Sequence, residues 1–278
     1  MNIAKLLFLL TLILASLSFS SCSGDDDNID GGNIVDFGPK NVFTGDLPKN
    51  IGSLTIKYNV DGLLQEMSNS EMKVTFEYSS KLKSTADNNI IIMRYIDLNY
   101  SGESYTVDMK IGNNGFVSSA IQTYADNSSE TWEFKYNSDN QLNYMKRSEG
   151  DNEVTTITYA GGNITNVKME GDDKEEGIYT SSITYTSDKY PAGIENKGCI
   201  MLFDMTFGID LDEMDYAYYA GLLGRATKKL PLKMTDGYVG EPEYDSTYIF
   251  DWTLNEKGYP TKFSYDDYGY TENLNFNW

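Results

Sequence analysis

The side chains in this sequence that could carry chemistry are 42 carboxylates, 22 tyrosines and two cysteines, and there is no histidine. A serine or cysteine nucleophile ordinarily needs a histidine to accept its proton, and histidine is also the commonest metal ligand. Histidine-based catalysis is therefore excluded, and we predict a non-enzymatic protein without metal or cofactor. Hydrolysis by two positioned carboxylates stays open as the least favoured function, because a glycosidase needs only such a pair.

The first cysteine, Cys22, follows a three-part leader. Lys5 gives the leader a positive charge, residues 6–17 form an almost unbroken apolar run, and small residues fill most of positions 18–21. This order predicts a secretory signal peptide over residues 1–21. The apolar run is shorter than the roughly 20 residues that span a bilayer, so we favour a signal over the alternative of a retained membrane anchor.

The residues just before Cys22 resemble a bacterial lipobox, in which the chain is cut before the cysteine and the thiol is acylated. Phe19 stands where that pattern usually has leucine. Several acyl chains hold a protein firmly on a membrane, whereas a single chain does not. We therefore predict a lipoprotein that is anchored to the outer membrane through a lipid such as palmitate on Cys22.

An acidic run, Asp25-Asp26-Asp27, follows the predicted lipidation site. It resembles the export signal that carries Bacteroides-type lipoproteins to the outer face of the outer membrane, which implies a cell-surface location. The alternative is that these acids only solvate a tether. Residues 22–48 are predicted to be the lipidated N-terminus and a flexible tether, and residues 49–278 a single β domain.

The net charge of −20 limits the partners of this domain. Such a surface repels phosphate backbones and anionic lipid headgroups, so we expect no nucleic acid to bind. Once Cys22 is acylated, only Cys199 remains, and the fold must rest on its apolar core rather than on a disulfide. Because Cys199 begins the apolar run 199–203, we predict that it packs as a small buried side chain.

Alternation of apolar and polar side chains predicts strands along most of the domain. Successive side chains of a strand point to opposite faces, so an alternating stretch buries one face only. The many tyrosine, threonine and β-branched residues also favour strands. The clearest alternating stretches cover residues 54–58, 72–78, 107–111 and 132–136.

A tight turn recurs between these strands and usually carries Gly or Asn near its exit, where the backbone needs a positive φ. The turns begin at Tyr58, Ile111, Tyr136, Tyr159, Tyr185 and Leu254. The four turns from Ile111 to Tyr185 follow at intervals of about two dozen residues, and the two longer gaps fit two and three such units. A fixed period indicates repeated hairpins that bury one another's apolar faces. We predict an all-β fold, a long antiparallel meander forming a strongly curved or barrel-like sheet.

One short helix is predicted to interrupt the meander over residues 211–223. Met214, Tyr218 and Leu222 fall at i, i+4 and i+8 and give the helix one apolar face, and Gly224 ends it. We expect this helix to plug or cover the open side of the curved sheet.

Four acids surround the start of this helix: Asp210, Asp212, Glu213 and Asp215. They lack the glycine and the spacing of an EF-hand, which argues against a calcium loop. Acids stabilise a helix N-terminus, and Asp210 with Glu213 can form a capping box. We therefore assign them to the helix start.

The candidate ligand-binding residues are Tyr216, Tyr218 and Tyr219 on the predicted helix. A tyrosine combines apolar area with a polar tip, so these rings could stack on a sugar. A second tyrosine group near the carboxy-terminus consists of Tyr265, Tyr268 and Tyr270. The alternative role of both groups is packing in strand cores and rims.

The last strand alternates up to an aromatic terminus at Trp278 and resembles the terminal strand of bacterial outer-membrane barrels. A transmembrane barrel needs strands of about 9–11 residues and a continuous apolar band facing lipid. Several strands here are shorter or more charged. A membrane-spanning barrel is therefore the alternative that we do not favour.

Four features together resemble a known family: the lipobox, the repeated Tyr-Asn-x-Asp-Gly turns, the Tyr-x-x-Gly-Leu-Leu-Gly segment from Tyr218 to Gly224, and Leu230-Pro231. This is a family of Bacteroides-type lipoproteins, a domain-of-unknown-function family described as having a porin-like fold. The resemblance covers roughly residues 50–278. It implies a barrel-like β architecture and no activity, so it assigns no functional residues.

We predict a non-catalytic cell-envelope lipoprotein that binds a glycan or an apolar small molecule on a concave face or a tyrosine-rich rim. The alternative is a structural or partner-binding subunit of an outer-membrane complex. A cavity of several hundred Å³ lined by side chains would favour a ligand. A filled interior with an exposed apolar patch would favour a protein partner.

Overall fold

The computed structural model describes residues 36–78, 90–172, 177–267 and 269–278. The strands in this part of the chain are β1 (Asn50–Ile51), β2 (Leu54–Tyr58), β3 (Leu64–Ser68), β4 (Met72–Tyr78), β5 (Ile90–Asp97), β6 (Tyr105–Ile111), β7 (Val117–Tyr124), β8 (Ser129–Tyr136), β9 (Leu142–Arg147), β10 (Val154–Ala160), β11 (Asn163–Glu170), β12 (Ile178–Thr184), β13 (Ile194–Glu195), β14 (Lys229–Leu230), β15 (Lys233–Tyr238), β16 (Ser246–Leu254), β17 (Pro260–Asp267) and β18 (Tyr270–Asn277). The α-helices are α1 (Glu149–Asn152), α2 (Phe203–Phe207) and α3 (Tyr216–Tyr219), and 3-10 turns cover Pro39–Asn41, Ser101–Glu103, Asp212–Asp215 and Pro242–Tyr244. No helix within the described residues is both long and apolar enough to cross a bilayer.

Sixteen of these strands form one closed antiparallel barrel. Each wall strand pairs with the next one in the chain, except that β12 pairs with β15. The wall closes where β1 pairs with β18, with Asn50 opposite Asn277 and Ile51 opposite Phe276. β13 and β14 form a separate two-stranded ladder. The predicted antiparallel meander is confirmed, and in the closed ring each wall strand has a partner on both sides.

The inside of the barrel is apolar and its outside is polar. The buried residues of β6 are Tyr105, Val107, Met109 and Ile111, and the residues between them are more exposed. The same alternation places charged pairs on the outside, such as Lys57 with its ammonium 2.8 Å from the Glu66 carboxylate. A barrel that spans a bilayer carries a continuous apolar band on its outer face. This wall instead turns its apolar residues inward.

The recurring turns lie together at one end of the barrel, which we call the turn end. In three of them one asparagine organises the loop in the same way: the Asn59 Oδ1 accepts the N–H groups of Asp61 and Leu63 at 2.9 and 3.0 Å. Asn137 and Asn255 make the equivalent pair of bonds in their own turns. The sequence repeat is therefore a repeat of one side-chain-to-backbone turn.

Tyrosines at the turn-end termini of wall strands bond to the neighbouring strand. The hydroxyls of Tyr78, Tyr136 and Tyr159 each donate a 2.8 Å hydrogen bond to a wall carbonyl, those of Leu64, Val117 and Leu142 respectively. In each case the acceptor lies at the start of the strand that precedes the donor strand in the wall. Part of the tyrosine content thus satisfies backbone carbonyls at the turn end.

The predicted hairpin turn at Tyr185 does not join two wall strands. After β12 the chain leaves the wall and returns only at β15, and residues 185–232 form a segment that we call the plug. Inside the plug, α2 packs against β12 and β15. Farther along, the Leu222 carbonyl accepts the Val117 N–H of β7 at 2.9 Å. A segment that contacts such distant parts of the wall lies inside the barrel.

The predicted helix over residues 211–223 is shorter in the structure. A 3-10 turn at Asp212–Asp215 leads into the single turn of α3. The chain then reverses at Gly221, which has a φ of +75° and donates its N–H to the Tyr218 carbonyl at 2.8 Å. The helix ends there because the backbone of Gly38 lies directly against Gly221, and Gly224 is not its cap.

The predicted tether over residues 22–48 is too long, because its described part packs on the plug. Val42 and Phe43 are only 3% and 5% exposed. The Phe43 ring lies 5.8 Å from that of Tyr218, edge to face. The packed domain therefore begins before residue 49, and residues 22–35, with the predicted lipidation site, lie outside the described residues.

We predict that Gly221→Ala destabilises the protein by about 3 kcal/mol. A Cβ at this position would overlap the backbone of Gly38 and Pro39, and the left-handed φ adds strain. Gly62→Ala is the matched control, because Gly62 has a φ of +77° and open space around it, so it should lose only about 1 kcal/mol. Urea unfolding measures both, and equal losses would contradict the close contact between plug and N-terminal segment.

Candidate functional site

The end of the barrel opposite the turns, which we call the mouth, contains the candidate site. The plug enters and leaves at the turn end, because β12 ends there and β15 begins there. Its middle part, residues 203–216, reaches the mouth, and we call it the tip. Two cavities lie beside the tip and share Asp204, Met205 and Asp210 as lining residues.

The tyrosine cavity has a volume of about 450 Å³. Its wall residues are Tyr179 on β12, Asp236 on β15, Tyr248 on β16 and Tyr265 on β17, and Asp204 of α2 faces them from the tip. Met169, Met205 and Met234 complete the apolar part. These wall residues converge because each occupies an inward position near the mouth end of four consecutive strands of the ring.

The aromatic rings of this cavity are held by other aromatic rings. Tyr248 meets Tyr265 edge to face at 6.0 Å between centroids, and Tyr179 meets Tyr238 in the same manner at 5.4 Å. Edge-to-face pairs fix ring orientation. Tyr179, Tyr248 and Tyr265 are all partly exposed, so the cavity offers oriented aromatic surface.

Two carboxyls of the cavity have raised pKa values. Burial raises the pKa of Asp236, and a hydrogen bond from the Tyr179 hydroxyl offsets part of that effect. Partial burial of its carboxyl also raises the pKa of Asp204, and the negative charges of Asp210 and Asp236 raise it further. Crowded carboxyls of this kind favour groups that donate hydrogen bonds to them.

The apolar cavity, on the other side of the tip, has a volume of about 360 Å³. Its apolar lining includes Ile51, Leu54, Met67, Leu211 and Leu274, and its acids are Asp204, Asp210, Asp212 and Asp215. Wall and plug both contribute to the apolar part. This cavity therefore combines an apolar floor with an acidic rim.

The three tyrosines predicted to bind ligand occupy different environments. Tyr216 and Tyr219 line the apolar cavity, and the Tyr216 ring stacks on Tyr95 with centroids 6.3 Å apart. Tyr218 has no exposed surface, and its hydroxyl donates to the Cys199 carbonyl at 2.6 Å. The structure thus places Tyr218 in the core, where it has no surface to offer a ligand.

The second predicted tyrosine group contributes one residue to the site. Tyr265 lines the tyrosine cavity, Tyr270 is exposed and does not line it, and Tyr268 lies outside the described residues. Sequence reasoning missed Tyr179 and Tyr248. Their signal is alternation, because each stands two residues before a buried inward-facing residue of its strand.

The acids at the tip have a structural partner. Arg147, at the mouth end of β9, lies 2.9 Å from the Asp210 carboxylate, 2.6 Å from that of Asp212 and 3.0 Å from that of Glu153. Arg147 itself is nearly buried. The predicted capping box is replaced by this network, which fixes the tip to the wall.

A further acidic group at the mouth consists of Glu130, Glu149 and Asp212, whose carboxylate oxygens come within 4.8 Å of one another. Such a group could hold a cation. However, the Arg147 guanidinium already lies against Asp212 and within 3.8 Å of Glu149. We therefore assign Asp212 and Glu149 to the arginine, whereas Glu130 accepts the Tyr124 hydroxyl at 2.7 Å.

We predict that Asp236→Asn flattens the fall in stability that sets in as pH rises above about 4. The folded state raises the pKa of Asp236, so its contribution to stability is fully present below the unfolded pKa of about 3.9 and is lost as pH rises through the folded pKa. Urea unfolding at a series of pH values measures this slope.

Asp126→Asn is the opposite control for that experiment. Hydrogen bonds from Ser128 lower the pKa of Asp126, so its contribution is lost as pH falls rather than as it rises. If the free energy of unfolding of wild type and of Asp236→Asn changed in parallel with pH, the burial of the Asp236 carboxyl would be contradicted.

Comparison with known proteins places this barrel in a family. The model of a domain of unknown function with porin-like fold (DUF4595) matches residues 50–262. A porin-like protein from Bacteroides uniformis has a TM-score of 0.57 and 17% identity, covering 81% of this chain and 88% of its own. One from Bacteroides vulgatus has a TM-score of 0.59 and 13% identity, covering 84% and 99%. No protein of curated function matches. The chain belongs to the family of domains of unknown function with porin-like fold.

Proposed function

We propose that this protein is a non-catalytic, lipid-anchored protein of the cell envelope that binds a glycan in the tyrosine cavity. The observation that carries the proposal is the meeting of three partly exposed tyrosines and three carboxyls around one opening. Its volume of about 450 Å³ lies within the usual range of ligand sites.

A sugar ring matches this cavity through both its C–H groups and its hydroxyl groups. Its C–H face can stack on Tyr248 or Tyr265, because an aromatic face carries negative potential. Its hydroxyls can donate to Asp204 and Asp236, whose raised pKa values show that their negative charge is poorly solvated. An apolar ligand would instead prefer the apolar cavity beside Leu54.

The carboxyls favour binding over hydrolysis. A glycosidase divides its roles, with one acid kept protonated and the other ionised by different surroundings. Asp204 and Asp236 instead shift in the same direction, and burial is the first cause for both. A carboxylate-pair hydrolase remains the least favoured alternative, although both acids line the same cavity. Release of reducing sugar by wild type, lost in Asp236→Asn, would replace our proposal with it.

We predict that wild type binds at least one class of glycan on an array and that Tyr248→Ala weakens its Kd about tenfold, or 1.4 kcal/mol. The mature chain with Cys22→Ala supplies a lipid-free probe. Tyr144→Ala is the matched control, because Tyr144 lies on the outer wall beside Lys135. Binding that Tyr144→Ala weakens as much as Tyr248→Ala would contradict the site.

Silence of the wild type on every glycan would contradict the glycan proposal itself. If an apolar dye bound instead, and substitution of Leu54 in the apolar cavity weakened that binding, the result would favour an apolar ligand. Silence toward both would favour the alternative of a structural or partner-binding subunit of an outer-membrane complex.

The porin-like fold and its Bacteroides neighbours are compatible with an envelope location. Attachment to the outer membrane through Cys22, with the domain at the cell surface, is part of our proposal. It is supported by the leader and lipobox pattern. The acidic run at Asp25 supports the surface location.

We predict that Cys22→Ala moves the protein from the membrane fraction to the soluble fraction and abolishes labelling with a palmitate analogue. Acylation of the thiol is the step that the substitution removes. Cys199→Ala is the matched control, because Cys199 lies within the plug of the packed domain and should change neither result. If the Cys22→Ala protein stayed in the membrane fraction and were still labelled by the palmitate analogue, the anchor would be a different residue.

A further inference from the structure

The cavities at the two ends of the barrel differ in charge. At the turn end, a basic cavity of about 800 Å³ is lined by four cations, Lys40, Lys197, Arg225 and Lys228, against two acids, Asp139 and Glu195. Both cavities at the mouth are lined by aspartates and by neither lysine nor arginine. The net charge of −20 is therefore distributed unevenly.

Two of the cations at the turn end lack acidic partners. In the part of the chain that the structure describes, the Arg225 guanidinium and the Lys228 ammonium form no ion pair, although acids outnumber bases by 42 to 22. The stem of Lys228 packs against Gly162, and the Arg225 N–H donates to the Asn140 carbonyl at 2.8 Å. Both side chains are exposed, so their charges remain available to an external anion.

Apolar side chains accompany these cations. A second cavity at the turn end, of about 410 Å³, adjoins the basic cavity through Lys40 and Gly45. Its apolar lining residues are Phe37, Pro39, Phe43, Leu47 and Leu63. Val60 stands fully exposed in the neighbouring turn between β2 and β3. Cations next to exposed apolar groups are the combination that binds lipid surfaces.

The chain enters the domain at this same end. Asp36, the first described residue, lies against the Gly115 turn, and its carbonyl accepts from the Asn41 amide at 2.9 Å. Residues 23–35 separate it from Cys22 and can reach at most about 50 Å. A lipid on Cys22 would therefore be joined to the domain at its turn end.

We infer that the turn end docks on an anionic phospholipid surface, with Arg225 and Lys228 against the lipid phosphates and Val60 among the headgroups. The mouth then faces away from the bilayer, open to its ligand. This orientation rests on the proposed lipid anchor; the affinity of the turn end for anionic lipid does not.

The overall negative charge does not oppose this docking strongly. Wall strands of seven or eight residues separate the two ends by about 25 Å. Salt screens charges beyond a Debye length of about 10 Å at 0.1 M ionic strength, so the mouth acids act weakly on a surface at the turn end. The proposal therefore differs from the sequence-based expectation that the protein repels anionic headgroups, and the vesicle experiment below decides between them.

Vesicle co-sedimentation of the lipid-free mature chain, Cys22→Ala, tests the affinity. We expect binding to phosphatidylcholine vesicles that contain phosphatidylglycerol, little binding to pure phosphatidylcholine, and loss of binding at high salt. Each basic residue near an anionic surface contributes about fivefold, so R225E/K228E should weaken binding at least about 25-fold. The matched control is K146E/K168E, which makes the same charge change on the outer wall near the mouth. Equal binding to both vesicles, or equal losses in both variants, would overturn the inference.

Fluorescence quenching on the lipidated chain tests the orientation. In a Cys199→Ser background, a fluorophore at Val60→Cys should be quenched by headgroup-labelled lipid, and one at Tyr270→Cys, at the mouth, should not. Stronger quenching at position 270 would overturn the orientation. If Cys22 proves not to be lipidated, the vesicle result still decides the affinity, so the two failures are distinguishable.

Discussion

The structure depends on one geometric constraint: sixteen strands in a closed ring enclose more space than their own inward side chains can fill. Barrels of about eight strands are filled by side chains, whereas those of sixteen leave a channel that water can occupy. Here the inward face is apolar, so water in the channel would leave the hydrophobic effect unrealised. The plug fills this space, because its own buried residues pack against the inward side chains of the wall and complete the core. They include Phe207, Leu211, Met214, Tyr218 and Leu222.

The route of the plug explains why the two ends of the barrel differ. Both of its connections lie at the turn end, so that end is crowded by N-terminal segment, turns and cations, whereas only the narrow tip reaches the mouth. Arg147 fixes the tip to one side of the wall. Space therefore remains on either side of the tip, and inward wall residues such as Tyr248 and Asp236 stay accessible there. The candidate site therefore exists because the tip of the plug is narrower than the interior of the barrel.

Much of the wall could be predicted from the sequence, because alternation and turn chemistry are local. The asparagine turns at Asn59, Asn137 and Asn255 use bonds within five residues. The turn at Tyr185 has similar residues, yet no wall strand follows it, and only the distant contacts of the plug determine this. Tyr179 and Tyr248 share a site because β12 pairs with β15 across that excursion, and residue spacing cannot reveal such a pairing. Met214, Tyr218 and Leu222 are all buried as their apolar pattern predicts, but only Tyr218 lies on α3, because the surrounding wall and the N-terminal segment end the helix early.

Native-state hydrogen exchange tests most directly whether the plug is an integral part of the core. If it is, amides of the plug exchange only on global unfolding, together with the wall amides of β6; examples are Thr206, bonded to the Leu202 carbonyl, and Leu222, bonded to that of Ala217. Plug amides that exchange more than about 100-fold faster than the wall would show that the barrel is stable without its filling, and would contradict the account.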